Sequence, residues 1–243
     1  MAPQRLLPLV LSVKCENWRM FDKDSGEADA EFQRVRKKAL DRDNQTCRFC
    51  GFRHTKWQEV HHANDDHADN RLENLITACP FCHMVQHIGL AGRNEEAVLI
   101  WLPEIPQHTL HHLVRTILVA QRSAEIVKND PRAVAPSVRN AKEAGDVAKA
   151  AMSALRERSS LAEKRLGSCD PLEIGNAMLL LPDEVYAKRS EIFSGIRLLP
   201  LGKRWNGGED VMAKQIDSWT ETGGPYSRLQ PNTWAGLMRS VLG

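Results

Sequence analysis

The stretch Cys47–His87, CRFCGFRHTKWQEVHHANDDHADNRLENLITACPFCHMVQH, decides how the chain is read, because it gathers four of the six cysteines into two CxxC pairs. A CxxC turn aims two thiolates at one point, and two such turns fill a tetrahedral zinc shell with no position left open for catalysis. Cys47, Cys50, Cys79 and Cys82 therefore read as ligands of a structural zinc ion. The competing reading is two unrelated, redox-active thiol pairs, although a thioredoxin-like CxxC does not need a second copy. The remaining cysteines, Cys15 and Cys169, stand alone and read as buried thiols. Such usage points to metal binding in a reducing compartment rather than to a disulfide framework.

The residues between and before the pairs are unevenly charged. From Glu31 to Lys56 there are eight Lys or Arg against three acids, whereas from Trp57 to Leu90 there are five acids, one Arg and five His. A basic helix thus leads into an acidic, imidazole-rich loop. A loop of that kind suits a divalent cation, and a cation beside a basic helix suits phosphate.

Working outward, 243 residues with 42% hydrophobic and 26% charged content are enough to bury a core without help from a metal. A net charge of +2 does not by itself imply a nucleic-acid partner. The apolar run LLPLVLSV is short, broken by Pro8 and followed by Lys14, Glu16 and Arg19, so it reads as neither a signal peptide nor a membrane span. The expected location is the cytoplasm, with no direct membrane insertion.

The pattern predicts an α+β protein in five parts. Residues 1–30 form an N-terminal β element, and 31–92 the finger region, entered by a helix with Phe32, Val35, Ala39 and Leu40 on one face and Arg34, Lys37 and Lys38 on the other. Residues 93–130 give a strand, AVLIW, stopped by Pro103, and a helix with Leu110, Leu113, Val114, Ile117 and Leu118 in register. Residues 131–168 form a linker and an Ala-rich helix whose core-facing stripe is thin enough for a solvated arm. Residues 169–243 read as helical, with a tail carrying Tyr226, Trp234, Leu237 and Met238; here DEVYAKRSEIFSGIRLLP is taken as one helical segment. His108, His111 and His112 have no acid or cysteine beside them and read as solvated or capping residues. GKRWNGG at 202–208 reads as a turn, and Trp57, Trp101, Trp205, Trp219 and Trp234 as core or interface anchors.

The order basic helix, CxxCG, a strand ending in VHH, then ENL and CPFCH resembles the HNH endonucleases over residues 31–88, about a quarter of the chain. The resemblance implies a ββα finger in which His62 is the general base and Asn74 shapes the loop that aims it. It also implies that His61 and His83 hold a second divalent ion, with His67 and His87 as further ligands. Many HNH enzymes carry Asp where this chain has His61, a change that favours a borderline metal over magnesium.

A second resemblance covers most of the chain. NWRMF, the finger, LIWLPEI, DPLEIGNAM, SGIRLLP and KQIDSW together look like the IcmJ/DotN family of type IVB secretion and conjugation systems. That resemblance implies a zinc-binding adaptor of the coupling complex, peripheral to the inner membrane. Its partners would be the C-terminal region of the coupling ATPase and other coupling-complex subunits. The HNH resemblance implies DNA as a partner instead, and the two readings share one fold.

Overall fold

The computed structural model describes residues 5–13, 26–64, 66 and 69–228, residues 26–31 by backbone alone. In chain order the elements are α1 (Gly26–Arg42), β1 (Glu59–His62), a 3-10 turn at Leu72–Asn74, β2 (Leu75–Ala78), α2 (Pro80–Gln86), α3 (Ile88–Arg93), β3 (Ala97–Trp101) and α4 (Gln107–Asn129). There follow α5 (Ala135–Glu157), α6 (Ser159–Leu166), α7 (Pro171–Leu179), α8 (Asp183–Ala187), α9 (Arg189–Ile192), β4 (Ile196–Pro200), β5 (Trp205–Asn206), β6 (Glu209–Asp210) and α10 (Met212–Thr220). Helices dominate and the described strands pair as three antiparallel ribbons, β1-β2, β3-β4 and β5-β6, so the fold is α+β.

The finger is β1-β2 followed by α2, with α1 laid across the ribbon. Ala39 and Leu40 of α1 pack on Val60 and Leu75, one from each strand, with Phe32 and Val35 beside them. Asp43, buried just past α1, ties helix to ribbon: it accepts from Arg42 and from the backbone N–H of Thr77. Arg42 also donates to Leu75 O at 2.8 Å. Burial alone would raise the Asp43 pKa, but Arg42 and Thr77 hold it below the ordinary carboxylate value.

Three sequence expectations change. Of the expected N-terminal β element at 1–30, the described residues 26–30 belong to α1, and residues 5–13 contain no strand. They form a strap bonded to the finger, Leu7 N donating to Arg48 O at 2.8 Å, Ser12 N to Val85 O at 2.9 Å and Ile88 N to Ser12 O at 3.2 Å. Ile196–Pro200, read as helical, is β4, which pairs with β3 in the register Ala97↔Pro200 to Trp101↔Ile196. A short apolar run buried on both faces shows no period-2 alternation, so its neighbours and not its own pattern decide its state.

The Ala-rich helix is not a solvated arm. Ala141, Ala144 and Ala148 of α5 are buried, and a Cβ added at Gly145 would stand 2.6 Å from the Cβ of Ala124 on α4. The stripe is thin because the two helices approach closely, and small side chains allow that approach. The chain turns at Arg158, which donates to Trp101 O at 2.7 Å and so fixes the α5–α6 corner to β3.

One core runs from the finger into the helical region. It joins the four paired cysteines and Phe81 to β3, β4, α4 and Trp219 of α10. α10 also grips the finger from outside: Trp57 Nε1 donates to Ser218 Oγ at 3.0 Å and Lys56 pairs with Glu221. Trp219 is buried but Trp205 is 44% exposed. Cys169 is half-buried, while Cys15, Trp234, Leu237 and Met238 lie outside the described residues.

Candidate metal centres

The two CxxC turns converge as their chemistry requires. The ligand atoms of Cys47, Cys50, Cys79 and Cys82 all lie within 4.8 Å of one another, and all four residues are buried. The first turn closes through Gly51, at φ +73°, with Gly51 N donating to Cys47 O at 2.9 Å. A residue with a Cβ is strained in that left-handed region. The second turn is a helix start: Cys79 is the N-cap of α2, Pro80 follows at the first helical position, and the Cys79 sulfur accepts from Cys82 N at 3.5 Å. Proline has no N–H to leave unpaired there, and the helix N-terminus favours negative charge on the sulfur.

Sequence reasoning missed the second half of this centre, which comes from α4. Arg115 is 1% exposed; its Nη2 donates to Cys79 Sγ at 2.8 Å and its guanidinium lies over the Phe52 ring, 4.1 Å from the centroid. A cluster of thiolates carries excess negative charge even around a divalent ion, and a buried guanidinium offsets it. Burial would lower the Arg115 pKa, but the thiolates of Cys79, Cys50 and Cys82 raise it. Cys79 is drawn down to about 7: burial opposes ionisation, and hydrogen bonds from Cys47 and Cys82 outweigh it.

His111, read as solvated or capping, is fully buried against the same cluster. Leu198 of β4 fixes the Gln107 amide, since Leu198 N donates to Gln107 Oε1 at 2.9 Å and Gln107 Nε2 donates to Leu198 O at 2.7 Å. Gln107 Nε2 also lies 2.8 Å from His111 Nε2. The amide nitrogen is a donor, so His111 Nε2 must accept, and the ring proton sits on Nδ1. Nδ1 then donates to Cys82 Sγ at 3.3 Å. Burial pushes the His111 pKa down to about 3, which keeps the ring neutral. His112 Nε2 meets Cys50 O at 2.8 Å. Among the residues of HTLHHL, two thus brace the cysteine knuckles.

A second cluster lies on the adjacent face of α2. One ring nitrogen each from His61, His83 and His87 lies within 4.8 Å of the other two; His61 is buried and the other two are half-buried. His61 comes from β1, while His83 and His87 stand four apart along α2 and at its C-cap, which puts them on one face. Three imidazoles converging without cysteine form a donor set for a borderline divalent ion, with room for water or an anion.

His62 is not a member of this trio. Successive strand residues face opposite sides of a ribbon, and the His62 ring stacks on Phe32 of α1, centroids 5.5 Å apart, with Nε2 3.1 Å from Asn70 Oδ1. Asn74 staples the intervening loop, accepting from Asn64 N at 3.0 Å and donating to Asp69 O at 2.8 Å. His67 lies outside the described residues.

Glu59 and Arg204 also belong here and went unread in the sequence. Glu59 Oε2 lies 2.5 Å from His83 Nδ1, and Arg204 bridges Glu59 to the buried Glu96, the latter at 2.9 Å. Burial would raise the Glu59 pKa, yet Arg204 and His83 hold it at about 2. The signal available in the sequence was the i, i+2 spacing of Glu59 and His61 on one strand. Arg204 gave none, because it sits in the segment read as a turn.

Fold and geometry together define an α+β protein in which a closed four-cysteine centre adjoins an open histidine centre. No protein-family model matches the chain. Over 221 residues it is 28% identical to the type 4 apparatus protein DotN of Legionella pneumophila subsp. pneumophila, covering 89% of this chain and 91% of that protein. Among the described residues no helix is long and apolar enough to cross a membrane.

Proposed function

We propose that the chain is a zinc-binding adaptor of a type IVB secretion or conjugative coupling complex, in the IcmJ/DotN family, docking on the C-terminal region of the coupling ATPase at the cytoplasmic face of the inner membrane. The observation that carries this reading is the reach of the similarity to DotN. It spans 89% of the chain and so runs through the helical region, far beyond what a metal finger needs for itself. Cys47, Cys50, Cys79 and Cys82 fit zinc by donor type, number and burial, and would hold it as a structural ion. Docking uses the surface of the central and C-terminal elements and leaves the histidine face free.

The test is a pull-down of the ATPase's C-terminal region with full-length protein. Deleting residues 169–220 would remove β4 and α10 and unfold the core, so point variants are needed. Leu180, 86% exposed after α7, and Ile192 at the end of α9 are apolar and accessible. Leu180→Asp with Ile192→Asp should weaken capture at least tenfold, while His62→Ala with His83→Ala should leave it unchanged. The opposite pattern moves the docking surface onto the finger.

The convergence of His61, His83 and His87, with His62 adjoining them on the other face of β1, favours one alternative, a divalent-metal-dependent HNH endonuclease acting on DNA. A neutral imidazole at position 62 would take a proton from water, and an ion on the trio would offset charge at phosphate. Metal-dependent cleavage that falls about 10²- to 10⁴-fold in His62→Ala would support it. No cleavage with any of manganese, nickel, zinc or magnesium would rule it out.

A further inference from the structure

We infer that Glu59 and Arg204 are positioning residues for the histidine centre: Glu59 accepts a hydrogen bond from the Nδ1–H of His83 and so turns its Nε2 towards His61 and His87, and Arg204 holds Glu59 in that pose. The inference rests on reading the trio as a metal site.

Glu59 and His61 are two apart on β1, so both side chains face α2, where His83 and His87 sit. The contact at 2.5 Å consumes His83 Nδ1, which leaves Nε2 as the ligand atom. The ring centroids of His61 and His87 are 5.6 and 4.8 Å from that of His83. A carboxylate accepting the far N–H of a ligating imidazole fixes its tautomer and orientation and raises its basicity. Glu59 is itself only partly buried, at the first position of β1, and has rotamers to lose. Arg204 removes that freedom, reaching Glu59 with Nη2 and Glu96 with Nη1. Glu96 is fully buried immediately before β3 and also accepts from Trp205 N at 2.7 Å. The relay therefore runs from the β3 entry, through the β5-β6 hairpin, to a ligand on α2. This gives the hairpin a task that a surface turn would not have, since Asn206, Gly207 and Gly208 only close it while Arg204 points inward.

The experiment uses full-length protein with the cysteine centre filled by zinc, titrated with cobalt(II). Absorption separates the two centres, because thiolate-to-cobalt charge transfer marks the cysteines and weak ligand-field bands mark imidazole and oxygen donors. Wild type should take up one cobalt without charge-transfer absorption. Glu59→Ala should lower that affinity about 10- to 100-fold, Arg204→Met by a smaller factor, and Glu59→Gln, which keeps an oxygen for the Nδ1 proton, should recover part of the loss. Nitrogen-detected spectra of wild type loaded with zinc at both centres should show His83 protonated at Nδ1 and metal-bound at Nε2. That measurement needs no variant and stands if Glu59→Ala fails to fold. If wild type binds no second ion, the reading of the trio as a metal centre falls. If it binds one, but with His83 ligating through Nδ1, or with equal affinity in Glu59→Ala, the positioning role alone is overturned.

Discussion

The cysteine and histidine centres share α2 and differ in almost everything else. The cysteine centre offers four candidate ligands, none exposed, and is surrounded by Phe81, Arg115 and His111. The histidine centre offers three candidate ligands, two of them half-exposed, backed on one side by the Glu59–Arg204–Glu96 relay. A closed tetrahedral shell inside a core contributes to folding; an open one at its edge leaves a position for exchange. One helix thus carries a part that must not change and a part that can.

The largest test of that contrast is Cys79→Ser. It removes a ligand, the N-cap sulfur of α2 and the acceptor of Arg115 together. Thiolate capture couples to folding by on the order of 10 kcal/mol in small zinc domains. The cysteines belong to the same core as β3, β4 and α4, so the variant should lose its metal and unfold as one body. Elemental analysis and far-UV circular dichroism report both. A finger that melts alone, with the helical signal of α4 and α5 intact, would break the claim that the centre is part of the common core.

Next in size is Arg115→Met. The substitution leaves thiolate charge buried without its cation, a change that costs about 3–5 kcal/mol for a broken buried pair. The urea midpoint of the zinc-loaded protein should fall accordingly, and the zinc should be released more readily to a chelator. The histidine centre should keep its cobalt affinity. Equal stability of variant and wild type would mean that the guanidinium packs on Phe52 and does nothing for the sulfurs.

These two predictions also show what the sequence reveals. The CxxC pairs are legible because each is a local turn whose spacing states its geometry. His83 and His87 are legible as neighbours because they are four apart. Arg115, His111 and Gln107 are not, since they join the cysteines only after α4 folds across the finger, and an isolated HTLHHL carries no mark of what it will meet. β4 is hidden for a related reason: IRLLP becomes a strand through pairing with AVLIW, about a hundred residues earlier in the chain. The buried face of α5 is hidden because its packing depends on the absence of a side chain at Gly145 and on nothing larger than a methyl group at the neighbouring alanines, which from sequence alone looks like a weak apolar stripe.

That absence supplies a third test. Gly145→Val puts branched carbon where a Cβ alone already lies 2.6 Å from Ala124. α5 must shift from α4, at about 1–3 kcal/mol for overpacking of this kind. Because α4 presents Arg115 and His111 on its other side, the strain should appear as a lower urea midpoint and faster zinc loss, again with the histidine centre unaffected. A fall in midpoint with no change in zinc release would separate α5 packing from the cysteine centre.

The smallest expected effect is that of His87→Ala. His87 closes α2 and opens α3, but it does so with its backbone: its N–H donates to Met84 O at 3.1 Å, and Ala91 N donates to its carbonyl at 3.1 Å. Alanine keeps both bonds. The side chain is half-exposed and contributes a ring among His61 and His83, so its loss should change the unfolding free energy measured in urea by no more than about 0.5 kcal/mol, the usual range for surface substitutions. Cobalt binding at the histidine centre should nevertheless drop steeply, because two imidazoles remain where three converged, while the zinc content stays at one per chain. Stability and metal occupancy would then be uncoupled at this centre and coupled at the other. A destabilisation comparable with that of Arg115→Met would mean that the histidines are a structural brace, and the division of α2 into a closed and an open face would fail.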